Sequence, residues 1–233
     1  MNFYGRLVIS LALVAGLAAG LLSVTYATTA PVIAQRAIED QEKALQSVFF
    51  LQRGDKGEFA LTVKPLADGV SALYFPDNTD TPAYYAATGQ AIGYNSTVPV
   101  TLMVGFTGEA ASAEKLLAGY VDSDKLPESG KTGEFIVGFS VVNSEETPGL
   151  GEKIKDARPP YTWLQAATGT KPPLNPDTGT DFQRQFRGRT ADSLSLKKSG
   201  GDLDAITAST ITSNGVLAAL RDASSNLAAA LGK

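Results

Sequence analysis

Neither cysteine nor histidine occurs among the 233 residues. Without thiolates the chain has no iron–sulfur ligands, no cysteine nucleophile and no c-type haem attachment of its own. Without imidazole it builds no Ser-His-Asp triad and no histidine metal site. Positive charge is also in short supply: 20 Lys and Arg stand against 24 Asp and Glu, a net charge of −4. That leaves no basic footprint for nucleic acid. Any redox chemistry here must come from an organic cofactor. The missing cysteines suit every compartment and so locate nothing.

One long apolar run is present. Leu7 to Ala27 (LVISLALVAGLAAGLLSVTYA) carries no charge and, at about 20 residues, is long enough to cross a hydrocarbon core. Gly16, Gly20 and several Ala give it small side chains suited to packing on another membrane helix. The run exceeds the usual signal-peptide core, and no clean Ala-x-Ala site follows, so a retained anchor is the reading. Arg6 precedes the span, and Glu39, Asp40 and Glu42 follow it. The positive-inside rule then predicts a cytoplasmic N-terminus with the remaining mass outside.

Beyond the span, Pro31 to Phe50 reads as a stalk or capping helix, with Ile38, Leu45, Val48 and Phe49 near one face. The period then changes. Strands are expected at Phe59–Val63, Val70–Phe75, Tyr84–Gly89 continuing through Ala91–Tyr94, Val98–Phe106 and Phe135–Val142. The last two are continuous apolar runs, which suggests burial on both faces. A helix is expected over Glu109–Tyr120, an irregular stretch over Thr168–Thr180, a short strand at Ser193–Leu196 and a final helix from about Ser213 to Leu231. The fold class is α+β: one transmembrane helix, then a mixed α/β domain with a mainly antiparallel sheet. Boundaries are expected at 1–30 for the anchor, 31–57 for a juxtamembrane helix and linker, and 58–233 for the domain.

Two stretches could carry chemistry. Asp204-Ala-Ile-Thr-Ala-Ser-Thr-Ile-Thr-Ser213 crowds Thr207, Ser209, Thr210, Thr212 and Ser213 in front of the final helix. Thr212 or Ser213 could cap that helix, and its N-terminal dipole would favour a phosphate nearby. Lys197 and Lys198 lie just upstream and could add positive charge. On residue types alone, an ordinary hydroxyl-rich cap is the plainer reading. The second stretch is Glu146-Thr-Pro-Gly-Leu-Gly151. Pro148, Gly149 and Gly151 permit a tight turn that a ligand can approach, with Leu150 projecting onto a flat ring. On residue types alone, a connecting turn is the plainer reading here too.

Taken together and in this order, Glu146–Ile154 and Asp204–Ser213 resemble the FMN-binding-domain family, and within it the G subunits of Rnf ion-translocating electron-transport complexes. The anchor, the two strong strands, Trp163, Phe182-Gln-Arg-Gln-Phe186 and Lys197-Lys-Ser-Gly-Gly201 follow the family's order too. The resemblance implies FMN esterified through its phosphate to Thr210. It places Asp204, Thr207, Ser209, Thr212, Ser213 and Lys198 around the attachment point, and Glu146, Thr147, Gly149, Leu150 and Gly151 at the ring. Ala208 and Ser209 stand where the family has Gly and Ala, and Ser144 where relatives often have His. An Ala narrows the allowed backbone if that position has positive φ. Residues 107–134 stand as an insertion where relatives have a tight turn.

The implied function is a one-electron carrier relaying electrons between ferredoxin and NAD within an ion-translocating complex in the bacterial inner membrane. It would have no independent turnover, no catalytic acid or base and no metal. Its partners would be the other subunits and, during maturation, a flavin transferase. Two alternatives are a C-type subunit of a Na+-translocating NADH:quinone oxidoreductase, and a flavin-free anchored scaffold.

Overall fold

The computed structural model describes residues 3–49, 61–75, 79–108, 133–148, 150–154 and 180–233. The helix expected over Glu109–Tyr120, most of the 107–134 insertion, Trp163 and the irregular stretch at 168–179 lie outside them. The chain divides into two compact units, Met1–Glu42 and Lys43–Lys233.

The first unit is helical. α1 runs from Phe3 to Phe49 without interruption at Pro31. Within it Val8–Ile33 reaches a mean hydropathy of 2.2 and none of its residues is buried. At 1.5 Å per residue these 26 residues span about 39 Å, enough to cross a membrane. Before the proline, Thr25, Thr28 and Thr29 return their hydroxyls to carbonyls three or four residues back. No hydroxyl of theirs therefore needs an outside partner.

In the second unit five strands pair antiparallel in sequence order: β1 (Thr62–Ala67), β2 (Val70–Tyr74), β3 (Tyr84–Ala91), β4 (Val100–Thr107) and β5 (Ile136–Asn143). Alternation along the strands splits the core in two. Leu73, Tyr84, Ala86 and Met103 face one way and meet Ala44, Val48 and Phe49 at the end of α1. Val70, Ala72, Tyr85, Ala87, Leu102, Val104 and Phe106 face the other way. There they meet the last helix, α3 (Thr210–Ala230), which buries Val216, Leu217, Leu220 and Leu227. A short helix, α2 (Asp181–Arg184), is closed by a Thr180–Gln183 capping box and seats Phe182 and Phe186 in the same core.

Small residues let α3 come close. Gly215, Ala219 and Ala223 repeat every four residues and so form one stripe. A Cβ on Gly89 of β3 would stand 2.0 Å from the Ala219 carbonyl oxygen, so only glycine admits the helix there.

Four expectations shift. The first strand runs from Thr62 through Pro65 to Ala67, past the expected end at Val63, with every residue exposed, and the expected start at Phe59 lies outside the described residues. Proline is tolerated because β1 is the sheet edge, which Lys64 and Pro65 also blunt. β3 stops at Ala91, because Asn95 folds the chain by accepting the Thr97 N–H at 2.9 Å. Ser193–Leu196 makes only a single bridge, Leu196 to Leu203. The last helix begins at Thr210, three residues before Ser213.

Candidate functional site

The approach to α3 is a closed loop. The Ile206 N–H donates to Ser213 Oγ at 3.0 Å, and Ser213 Oγ donates to the Ser209 carbonyl at 2.9 Å. The Ser209 N–H donates back to the Ile206 carbonyl at 2.9 Å. Ile206, Ser209 and Ser213 are buried by this arrangement, while Thr207 and Ala208 remain outside. Turning the chain this tightly puts Ala208 at φ +63°, the one non-glycine residue with positive φ among those described. An L side chain in that region costs about 1–2 kcal/mol. A glycine would adopt this φ freely, whereas Ala208 carries the strain.

Ser209 holds the N-cap position, though its side chain makes no cap bond. Thr212 and Ser213, expected as the cap, instead lie inside the first turn, and both hydroxyl protons are committed within the protein. Thr210 is the first helical residue and half-buried. Lys198 Nζ donates to its Oγ1 at 3.1 Å. Lys198 sits on a 3₁₀ turn, Lys197–Ser199, that ends in Gly200 at φ +84°. Its neighbour Lys197 is taken by Asp204 at 2.8 Å. Asp204 is in turn fixed through its backbone: its N–H donates to Gln185 Oε1 at 2.7 Å, and Gln185 Nε2 donates to its carbonyl at 2.8 Å. So of two adjacent lysines, one is neutralised and the other faces Thr210. The exposed Lys197–Asp204 pair adds little stability.

On the opposite side of the same helical turn lies Glu146, only 8% exposed. Its Oε2 accepts the Thr212 hydroxyl at 2.5 Å, and its Oε1 accepts the Tyr94 N–H at 3.1 Å. No space is left around it: a Cβ on Gly93 would lie 2.1 Å from Oε1, and one on Gly151 2.8 Å from Oε2. Asn95 ties the neighbouring backbone down, with Nδ2 donating to the Glu145 carbonyl at 3.1 Å. A polar group this deep is retained where its oxygens are hydrogen-bonded.

Glu146 also anchors the glycine-rich turn. The Leu150 N–H donates to the Thr147 carbonyl at 3.2 Å, and the 3₁₀ turn Gly151–Ile154 follows. Thr147 is exposed, Gly151 is buried, and Leu150 stands 40% exposed. Gly149, expected in this turn, lies outside the described residues. Apart from α1, the exposed large apolar side chains among the described residues are Val63, Leu66, Ile92, Tyr94, Leu150 and Ile211. The last four belong to the segments that converge on Glu146.

Sequence reasoning found Leu150 but not Ile92, Tyr94 or Ile211. Ile211 could have been suspected, being the one large apolar residue inside a hydroxyl run. Tyr94 was hidden by its assignment to a strand. Sequence reasoning also placed Glu146 at a ligand, whereas here its carboxylate is directed to Thr212 and the Tyr94 amide.

Exposed apolar side chains on the segments around Glu146, together with an ammonium on a half-exposed hydroxyl at the start of α3, suit a ligand with a flat apolar ring and an anionic tail. Such side chains favour a ring face, and Lys198 at a helix N-terminus favours a phosphate. Residues 129–225 match the FMN-binding domain, so the chain is of the flavin-mononucleotide-binding class. Residues 6–48 match the RnfG N-terminal region. Over 218 residues the chain is 27% identical to the G-type subunit of the ion-translocating oxidoreductase complex of Methanosarcina acetivorans, covering 94% of this chain and 91% of that one. The G-type subunit of the same complex from Vibrio vulnificus is 31% identical over 104 residues, 45% of this chain and 42% of that one. The chain thus carries an RnfG N-terminal region followed by an FMN-binding domain, and it is similar to G-type subunits of ion-translocating oxidoreductase complexes.

Proposed function

We propose that this chain is the FMN-carrying, membrane-anchored electron-transfer subunit of an Rnf-type ion-translocating oxidoreductase complex, with FMN held covalently through its phosphate on Thr210. The observation that carries the attachment site is the pairing of Thr210 Oγ1 with Lys198 Nζ at 3.1 Å. The competing hydroxyls are disfavoured by placement: Ser209, Thr212 and Ser213 are buried, and Thr207 lies on the exposed loop. FMN, when bound, supplies the redox chemistry. The chain's own residues do the rest. Lys198 offsets phosphate charge at the helix N-terminus. Leu150, with Ile211 and Tyr94, offers apolar surface to the ring, and Thr147 and Gly151 shape the turn beside it. Covalent attachment keeps the carrier at a fixed place on the protein.

The N-terminal match at residues 6–48 favours the Rnf assignment over a Na+-translocating NADH:quinone oxidoreductase subunit. A flavin-free scaffold has no comparable support, since the apolar side chains, the lysine and the hydroxyl all remain in place. In this reading residues 1–30 anchor the chain, residues 31–57 link it and residues 58–233 carry FMN. The N-terminus is cytoplasmic and the FMN domain lies on the outer face of the inner membrane. The partners are the other members of the complex and a flavin transferase that loads Thr210.

The test is a denaturing gel of detergent-purified protein, made in a host with the matching Mg2+-dependent transferase and viewed under ultraviolet light. A fluorescent band is expected, absent in Thr210→Ala. A dark band for the unmodified sequence contradicts covalent attachment. Fluorescence that persists in Thr210→Ala moves the site to Thr207 or Ser209.

A further inference from the structure

Glu146 is a deeply buried carboxylic side chain, and nothing in electron transfer by a bound flavin requires an acid there. The Thr212 hydroxyl donates to one oxygen, the Tyr94 amide donates to the other, and Gly93 and Gly151 pack close against the carboxylate. Each of its oxygens already accepts one hydrogen bond from the protein. The carboxylate joins three segments distant in sequence. The Glu146–Thr212 bond bridges 66 positions and the Tyr94 bond 52. One end of this bridge is the first turn of α3, two residues from Thr210. The other is the Thr147–Gly151 turn, which starts at the residue after Glu146.

We propose that Glu146 is a positioning residue that fixes the ring turn Thr147–Gly151 relative to the attachment residue Thr210, acting through Thr212 and the Tyr94 amide and not by touching FMN. The inference rests on the FMN reading above. It separates two tasks: Thr210 and Lys198 hold the phosphate, whereas Glu146 and Thr212 determine whether the ring, once tethered, lies in one place. A tethered ring without its platform is covalently bound yet mobile.

The experiment uses the full-length flavinylated protein in detergent, with three readings on each variant. Intact mass reports the adduct. Visible circular dichroism and flavin fluorescence anisotropy report whether the ring is held, and thermal unfolding reports the fold. In Thr212→Val the adduct is expected to persist, while the visible dichroism is lost and the anisotropy drops toward that of a flexible tether. Thr212→Ser, which restores only the hydroxyl, is expected to restore both signals, a rescue that packing alone would not produce. Glu146→Gln keeps both arms, since its amide oxygen can accept from Tyr94 and its NH2 can donate to Thr212 Oγ1, so its ring signals remain.

Wild-type dichroism and anisotropy in Thr212→Val would overturn the proposal, as would a Ser variant no better than Val. Loss of the adduct from a folded Thr212→Val chain would also overturn it, by moving Thr212 into the attachment step. If the Val variant does not fold, Glu146→Gln decides: loss of ring signals from a folded, flavinylated chain contradicts the proposal, and their retention beside Thr212→Ser supports it. An unmodified chain without any adduct defeats the FMN reading and takes this inference with it.

Discussion

Thr210 and Thr212 stand two residues apart at the start of α3 and meet opposite chemistry. Two positions along a helix turn about 200°, so the side chains leave on opposite faces. Thr210 is half-exposed and receives an ammonium; Thr212 is 1% exposed and donates to a carboxylate. In the proposed reading the same residue type is an attachment point in one place and structural in the other because of what each face of the helix meets. The outer face has Lys198 and open space, whereas the inner face has Glu146 and no room. A hydroxyl-rich run therefore needs only one modifiable member.

The comparison can be broken from either side. The largest effect on stability is expected from the inner side. Gly93→Ala sets a methyl where Glu146 Oε1 now lies, 2.1 Å away, with Val100 Cγ2 at 3.0 Å. Either the carboxylate leaves its partners or the backbone moves, at a cost of about 2–3 kcal/mol. Thermal unfolding of the full chain should show a lowered midpoint, with flavin still attached at Thr210. An unchanged midpoint would mean that the Glu146 pocket is not a rigid inner wall.

From the outer side, Lys198→Gln removes the cation beside Thr210 without touching the core. Loading of the flavin onto Thr210 by the transferase should slow by about tenfold, the loss expected for one charge-assisted hydrogen bond. Lys64→Gln, which takes the same charge from β1, where Lys64 lies over the Tyr74 ring, should leave the rate unchanged. Equal rates for both variants would remove Lys198 from the site.

The smallest effect lies in the turn that divides the two faces. Ala208→Gly releases the left-handed strain but gives the unfolded chain more freedom, so the net gain is about 0.5–1 kcal/mol. A rise of roughly 1–4 °C in the unfolding midpoint is expected. A fall would mean that the Ala208 methyl makes a contact worth more than its strain.

Much of this could be read from residues alone, for reasons that differ between elements. β4 and β5 announced themselves as apolar runs because the sheet is covered on both faces by α1's end and by α3. The buried side of α3 was legible in its period. β1 was misplaced because an exposed edge strand has no alternation to read, and it contains a proline. The start of α3 was misplaced because several adjacent hydroxyls compete for the cap, and the choice of Ser209 depends on a turn made possible only by the positive φ of Ala208. Attachment at Thr210 was suggested by the resemblance, not by the hydroxyl run. The Glu146–Thr212 contact was invisible for a simpler reason. Nothing local links a glutamate after β5 to a threonine 66 residues later; the sheet and the packing of α3 bring them together.

The central claim is that Thr210, and none of its neighbours, carries FMN. It is tested most directly by intact mass and peptide fragmentation of the purified full-length protein beside Thr210→Ala. The expected result is one FMN-phosphate adduct confined to Thr210 and absent from the variant. An adduct on Thr207, Ser209, Thr212 or Ser213, or one that survives in Thr210→Ala, would contradict it.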